Sequence, residues 1–425
     1  MARPDAGIAR AVLANGLTVL VAEMPGSPVV SIALSLEAGS RYDDEKTAGV
    51  ACLAANAVLE GPRGNAGPSF ARLVEAAGTS FDAFTGYETA VFVATALPGR
   101  VVEVLGHLFA MIADPALDER TVARARRAQA SEIASDARDA YQTARREFFD
   151  LAYGPHPRRR PVVGYAPTVA GLTAADTVDF CARRYRPGGA VLAIAGGVRA
   201  GGVLAAADRA SRAWRGDAPL LPDHGDPPGP GSRRTRFVPM RREQVHLCLG
   251  HVAIRRSDPR YHALEILDAI LGDCAGFGSR LAKRLREREG LAYVVESDTV
   301  GSAGIDPGVF WAYTATSPAN AAAAVGGIRE EIRRVVAEPP SDEEVAAAVS
   351  YLRGRRIIAS DRSDSRALGL VRIERRGLGL DFESRYPGIL SSIGPADVLR
   401  AARDVIRPDD CCLVAVGPSC DLALD

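Results

Sequence analysis

The pattern of apolar and polar positions predicts strands that alternate with long helices along the whole chain. Apolar runs bounded by turn residues predict strands at 17–22, 29–36, 190–197, 244–253, 291–297 and 411–417, and a hairpin at 81–97. Apolar residues at helical spacing predict helices at 47–59, 70–77, 118–153 and 261–271. Strands that cluster before and between helices predict an α+β fold, in which helices pack on one face of a mostly antiparallel sheet.

The two halves of the chain repeat the same order of elements. Asp176 is followed ten residues later by Arg186-Pro187, and then by an apolar strand. Asp397 is followed at the same spacing by Arg407-Pro408 and a second such strand, 221 residues further along the chain. Because order and spacing agree over several elements, the sequence predicts two homologous domains.

A proline-rich segment separates the two halves. Residues 217–232 read DAPLLPDHGDPPGPGS, with five prolines and three glycines. Proline lacks a backbone donor and fixes φ, so this segment is a poor helix or strand. We therefore predict a first domain at 1–216, a linker at 217–232 and a second domain at 233–425.

The composition limits the classes of protein to which this chain can belong. The 425 residues are 47% hydrophobic and carry 52 basic and 52 acidic side chains, a formal net charge of zero. This favours a folded globular chain, and it argues against nucleic acid as a partner, because nucleic-acid binders carry a basic excess. No apolar run approaches the length of a membrane span, so we expect no membrane partner. The start of the chain lacks the pattern of a secretory signal, and the seven cysteines form no C-x-x-C motif, so we expect a cytoplasmic protein.

Two side chains of the second half are candidates for chemistry. Ser279 is suited to begin a helix and Gly290 to end it, which places Arg286 near the helix end and Tyr293 early on the following strand. The two side chains could converge on one spot. On spacing alone, the preferred interpretation is structural. Arg286 is then a solvated charge that complements the helix dipole, and Tyr293 is a half-buried aromatic residue of the strand. The glycine-rich loop at 271–280 lacks the Gly-Lys-Ser/Thr of a phosphate-binding loop.

The stretch from Gly276 through Arg286 to Tyr293 nevertheless resembles the second-domain signature of the pitrilysin/insulinase zinc-peptidase family, in its bacterial, mitochondrial-processing-peptidase-like branch. Further segments resemble the family in the same order: EAGSRYDD (37–44), TAGVACLAANAVLEGP (47–62), FDAFTGYETAVF (81–92) and the stretch 156–197. The resemblance implies two related α+β domains of the LuxS/mitochondrial-processing-peptidase-like metallohydrolase fold. In the family, two such halves close around a chamber that takes up unfolded peptides.

The chain departs from the family at the zinc motif. Active members carry His-x-x-Glu-His on a first-domain helix, where two His bind Zn²⁺, the Glu acts as general base, and a later Glu completes the site. Aligned on Gly49, this chain has Cys52 and Asn56 at the His positions, Ala55 at the base position and Glu132 at the distant ligand position. A lone thiol and a distant carboxylate make a poor zinc site, so we expect no metal in this chain. A nucleophilic Cys52 would need a nearby His, which the sequence does not place, and a buried thiol is the preferred interpretation.

In the family, the residues at the positions of Arg286 and Tyr293 bind substrate carbonyls and stabilise the oxyanion. The resemblance therefore implies a non-catalytic subunit of a heterodimeric zinc metallopeptidase. The cofactor, zinc, would be held by a paralogous partner chain, the substrate would be a peptide, and this chain alone would be inactive. The peptide could add as a strand to the edge of the 81–97 hairpin. Two alternatives stay open, a catalytically retired scaffold of the same fold and a peptide-binding protein, which could be a homodimer.

Overall fold

The structure is a computed structural model that describes residues 7–229, 231, 234–273, 278–420 and 422, with the backbone alone at 273. Within these residues the strands are β1 (Ile8–Val12), β2 (Thr18–Glu23), β3 (Val30–Leu36), β4 (Phe81–Thr85), β5 (Ala90–Ala96), β6 (Val191–Gly196), β7 (Thr235–Pro239), β8 (Val245–Val252), β9 (Ala292–Asp298), β10 (Val309–Thr316) and β11 (Cys412–Gly417). The α-helices are α1 (Val50–Val58), α2 (Pro68–Ala76), α3 (Val101–Ala113), α4 (Glu119–Asp136), α5 (Ala140–Tyr153), α6 (Ala166–Gly171), α7 (Ala174–Arg184), α8 (Ala200–Ser211), α9 (Tyr261–Asp268), α10 (Ala321–Ala337), α11 (Asp342–Asp361), α12 (Ser363–Arg375), α13 (Phe382–Ser391) and α14 (Pro395–Val405). Residues 274–277 of the predicted glycine-rich loop, and 230, 232 and 233 at the end of the predicted linker, lie outside the described residues.

The strands form two sheets with the same order of equivalent strands. The first sheet has the order β1-β2-β6-β3-β5-β4, and the second has the order β7-β11-β8-β10-β9. The pairs β2–β6 and β7–β11 are parallel, and the other pairs are antiparallel. Without β1, the first sheet therefore has the topology of the second. This confirms the predicted fold class of two related, mostly antiparallel α+β domains.

Residue contacts divide the described chain into two compact units. Each unit is built from three separate segments of the sequence. The first unit comprises the described residues of Met1–Ala134, Pro161–Asp223 and Ile357–Ser384, and the second those of Ser135–Arg160, His224–Arg356 and Arg385–Asp425. The first unit thus contains α12 from the second half of the sequence, and the second unit contains α5 from the first half. The predicted boundaries at 216 and 233 describe the sequence repeat and stay a prediction.

In the first unit, both faces of the sheet are covered at the central strands β2, β3 and β6. Along β2 the side chains alternate, since Val19 and Val21 join the core formed with α1, α3, α7 and α8, whereas Leu20 faces the opposite side. There α12 packs against β3 and β6 and buries Leu370. A sheet covered on both faces explains why every residue of β3 is buried.

The second unit places α5 on its sheet, against β8 and β11. Phe148 of α5 stacks on Trp311 of β10 with ring centroids 5.9 Å apart. The prediction of one helix over 118–153 was wrong, because the chain turns at 137–139 and Asp139 begins a new helix. Its carboxylate accepts the backbone N–H of Gln142 at 2.9 Å, as a helix-capping residue does. No helix in the described part of the chain combines the length and apolar character of a membrane span.

Candidate functional site

The first candidate region is helix α1, whose start is fixed by buried polar groups. The carboxylate of Asp43 accepts the backbone N–H of Gly49 at 2.7 Å and that of Ala51 at 3.1 Å. The side-chain amide of Gln129, on α4, donates to the carbonyls of Gly49 at 3.0 Å and Val163 at 2.8 Å. Gly49 has φ of +100°, and a Cβ there would lie 2.9 Å from the Val163 oxygen, so glycine is required. These contacts determine where α1 lies relative to α4.

Three of the four predicted metal-site positions come together on this framework. Cys52 and Asn56 lie one turn apart on α1, and the Asn56 amide nitrogen is 3.6 Å from the Cys52 sulfur. Glu132 follows Gln129 by three residues on α4, so both point to the same side of that helix. Burial first, and then the charges of Glu132 and Asp43, raise the pKa of the Cys52 thiol to about 12. Cys52 is therefore a protonated thiol at neutral pH.

The fourth position, Ala55, lies in the hydrophobic core. It is 1% exposed and belongs to the same cluster as Leu53 and Phe92. Of the residues of α1, only Asn56 is partly exposed. A methyl group thus occupies the place where the family's general base would stand.

The residues present do not fit a zinc ion. Zinc needs deprotonated thiolate, neutral imidazole or carboxylate donors, usually three or four of them. Here the predicted positions offer one buried thiol, one amide and one carboxylate on another helix, and the Asn56 amide turns its donor nitrogen toward the sulfur. Among the described residues, no group of three or more His, Cys, Asp or Glu side chains is arranged to hold a metal. We therefore derive no metal chemistry for this chain.

The second candidate region carries Arg286 and Tyr293, in the second unit. Arg286 lies in a π-helical segment, Ala282–Arg288, and Gly290 ends the segment with φ of +63°. Tyr293 lies at the start of β9, the edge strand of its sheet. The register with β10 shifts here, since Val294 pairs with Ala315 and Ala292 pairs with Thr316, so Tyr293 is the extra residue of a bulge. Bulges redirect side chains and often lie beside functional sites.

The bulge presents the tyrosine to solvent, beside the arginine. Tyr293 is 74% exposed, and the Arg286 guanidinium carbon lies 4.6 Å from the centre of its ring. This distance is typical of a cation–π contact. The structure thus brings the two predicted residues together on a surface. A hydroxyl and a guanidinium so placed donate hydrogen bonds to one acceptor, such as a carbonyl oxygen.

Buried hydrogen bonds hold the bulge in shape. The hydroxyl of Thr314 donates to the Val294 carbonyl at 2.8 Å, and that of Thr316 donates to the Leu291 carbonyl. Both threonines are almost fully buried, and these bonds satisfy their hydroxyl groups away from water.

An ion pair anchors the preceding helical segment. Arg280 forms two hydrogen bonds with Glu344, at 2.7 and 2.6 Å, and lowers the pKa of that carboxyl. Ser341 and Glu344 form a capping box at the start of α11, since the Ser341 backbone N–H donates to the Glu344 carboxylate at 2.9 Å and the Glu344 backbone N–H donates to the Ser341 hydroxyl at 3.2 Å.

Sequence reasoning missed the residues that position both candidate regions. Asp43 lies within the segment 37–44, which resembles the family, and Gln129 lies three residues before Glu132. An acid before a helix and a glutamine inside a helix gave no separate signal. Thr316 lies in β10, for which the sequence analysis predicted no strand. Thr314 and Thr316 alternate with apolar residues in this segment. That pattern was the available sign that the two hydroxyls could bond to a neighbouring strand.

Comparisons with known proteins agree over most of the chain. Residues 18–160 match the family model described as insulinase (peptidase family M16), and residues 171–352 match the peptidase M16 inactive domain. An uncharacterized zinc protease of Streptomyces coelicolor is 28% identical over 97% of this chain and 90% of its own length. An uncharacterized zinc protease of Mycobacterium tuberculosis is 30% identical over 88% of this chain and 85% of its own.

Two further relatives extend the comparison. Subunit 1 of the bovine mitochondrial cytochrome b-c1 complex is 25% identical over 64% of this chain and 58% of its own length. A crystal structure of a peptidase M16 inactive domain from Pseudomonas fluorescens shares the fold, with a TM-score of 0.89 over 97% of this chain and 98% of that chain at 23% identity. Family models over both halves and relatives along nearly the whole length lead to one conclusion: the chain belongs to the insulinase family of peptidases, family M16.

Proposed function

We propose that this chain is the non-catalytic subunit of a two-chain zinc metallopeptidase that cleaves peptides. Arg286 and Tyr293 would bind the substrate carbonyl and stabilise the negative charge that develops on its oxygen. A paralogous partner chain would supply the zinc site. The observation that carries the proposal is the presentation of the Arg286–Tyr293 pair at an exposed bulge, in a chain whose α1 offers a metal one thiol and neither histidine nor carboxylate.

The edge strand of the first sheet supports a peptide as the substrate. β4 lies at the edge of its sheet, so one side of its backbone is open to pairing, and α1 packs against β4. An extended peptide that adds to an edge strand satisfies its own backbone hydrogen bonds without a particular sequence. A peptide held there would run beside the helix that carries the metal site in active family members.

A second candidate function is a catalytically retired scaffold of the same fold. The kinship with a subunit of the cytochrome b-c1 complex favours it, since that relative is named as part of a larger assembly. A scaffold has no need of a hydroxyl held at an exposed bulge. The Arg286–Tyr293 pair therefore favours the peptidase subunit.

Co-expression with a paralogue that carries His-x-x-Glu-His tests the proposal. The complex is expected to cleave peptides and to lose activity with chelator. Tyr293→Phe is expected to lower kcat on the order of 100-fold, because one donor to the developing charge is lost. Tyr351→Phe is the matched control, since Arg355 lies 5.3 Å from the Tyr351 ring in a second arginine–tyrosine contact of the same unit. Cleavage unaffected by Tyr293→Phe would refute the assigned role.

Metal analysis of the purified chain provides an independent measurement. Zinc is expected well below one equivalent after passage over a desalting column, because the thiol of Cys52 is protonated and Ala55 offers no donor. One full equivalent of zinc in the isolated chain, or chelator-sensitive cleavage by it alone, would contradict the division of roles between two chains.

A further inference from the structure

A groove beside β4 suggests which peptides the first unit selects. It has a volume of about 550 Å³, in the range of ligand sites. Its floor is the face of the sheet opposite α1, where Ala33 and Val93 lie, and its wall is the start of α12 with Leu368. The groove exists because α12 packs mainly on β3 and β6 and covers β4 and part of β5 on the same face less completely.

The lining of the groove combines apolar surface with negative charge. Asp82 of β4, Glu75 of α2 and Asp364 of α12 contribute three carboxylates. Among the described residues that line the groove, none is a lysine, arginine or histidine. Arg362 binds Asp364 at 2.6 Å, but no ion pair or hydrogen bond of the Asp82 or Glu75 side chain is found in the described part of the chain. Both side chains are exposed and available to a ligand.

The edge strand itself contributes to the groove. Asp82 and Phe84 alternate with core-facing residues of β4, so both side chains face the groove, and the Phe84 ring is 59% exposed. A peptide that pairs with the free edge of β4 would also direct every second side chain to this face. The residue next to Asp82 and Phe84 would therefore enter the groove.

We propose that the groove binds an arginine or lysine side chain of a peptide added to β4. The aliphatic stem of such a side chain would lie on Val93 and Leu368, and its charged end would reach the carboxylates. The Phe84 ring offers a face for a cation, and Asp82, two residues away, offers its counter-charge. This inference rests on the proposed peptide-binding function, and it adds the class of peptide that is selected.

Direct binding of short peptides to the full chain tests the proposal, because all the groove residues belong to the first unit. The probes are three fluorescein-labelled, unstructured peptides that differ at one central position, which is arginine, its neutral analogue citrulline, or glutamate. Fluorescence anisotropy at low salt is expected to give the arginine peptide an affinity about tenfold above that of the citrulline peptide. The glutamate peptide is expected to bind more weakly than both.

Asp82→Asn is expected to remove the preference for arginine without changing Tm, since Asp82 is exposed. The matched control is Asp179→Asn, an exposed acid on α7 outside the groove. Equal binding of all three peptides, or an arginine preference that survives Asp82→Asn, would overturn the groove proposal and leave peptide binding standing. Absence of binding by every peptide would instead contradict both the inference and the peptide-binding function on which it rests.

Discussion

Helix α1 in the first unit and the Arg286–Tyr293 region in the second differ in what surrounds their polar groups. In α1, Cys52 and Ala55 are buried, Ala55 being 1% exposed, and the partly exposed Asn56 donates its amide N–H to the Cys52 sulfur. On β9, Tyr293 is the extra residue of a bulge and is 74% exposed. Buried positions can be filled with apolar groups at little cost, whereas an exposed donor contributes nothing to stability. The contrast therefore separates residues enclosed in the core from residues exposed at the surface, where a ligand could reach them.

The reactivity of Cys52 gives the largest expected effect. Its pKa of about 12, against an ordinary 9.0, lowers the thiolate fraction about a thousandfold at pH 8. Alkylation of Cys52 by iodoacetamide in the native chain is expected to be at least that much slower than in urea, as followed by peptide mass spectrometry. Comparable rates in the two states would show that α1 is open to solvent, and the contrast between the regions would fail.

Ala55→Glu tests whether the core around α1 can hold a carboxylate at the position that the sequence aligns with the family's general base. A carboxylate at this core position is expected to destabilise the chain by about 3 kcal/mol or more, because the charge is buried without a partner. Chemical denaturation measures the loss. Asn56→Glu, one residue away and partly exposed, is the control and is expected to cost much less. Equal stability of the two variants would mean that position 55 is not enclosed.

Asp43→Ala removes the acceptor for two N–H groups at the start of α1. Loss of hydrogen bonds to a buried charged group is expected to cost about 2 kcal/mol of unfolding free energy. Asp179→Ala, which removes an exposed ion pair, is expected to change stability by less than about 0.5 kcal/mol. If the two variants had the same Tm, the anchoring of α1 would have to come from Gln129 alone.

Thr316→Val tests what holds the bulge at Tyr293 in β9. It removes the hydroxyl that holds the Leu291 carbonyl, at an expected cost of about 1 kcal/mol. Amide hydrogen exchange at 291–294 is expected to accelerate, because the bulge loses one of its two side-chain bonds. Thr316→Ser keeps the hydroxyl and should restore protection. Unchanged exchange in Thr316→Val would show that the bulge is held by other contacts.

Tyr293→Phe is expected to have the smallest effect on stability, within about 0.5 kcal/mol. The substitution keeps the ring that Arg286 contacts and removes only an exposed hydroxyl. Urea denaturation of the variant and the parent chain measures the difference. A loss above 1 kcal/mol would show that the Tyr293 hydroxyl stabilises the fold. The contrast between the buried α1 positions and the exposed Arg286–Tyr293 region would then fail.

Much of the fold could be predicted from local sequence. The strands at 17–22 and 29–36, the 81–97 hairpin and the repeated Arg-Pro turns are confirmed, because apolar periodicity and turn residues act over a few positions. The prediction of a single helix over 118–153 failed at Asp139. The only local sign of a break between the two alanine-rich helices is the capping residue Asp139, which is easily overlooked. Because of this break, α5 belongs to the second unit and not to the first.

The sequence by itself determined the repeated α+β fold and the absence of a His-x-x-Glu-His motif, since both follow from residue types at fixed spacings. Only the tertiary structure brought Glu132 near Cys52, made Tyr293 the bulged residue of β9, and left a groove where α12 ends its cover of the first sheet. Each of these depends on residues far apart in sequence. Their distances are set by how helices and strands pack, and no local pattern encodes that packing.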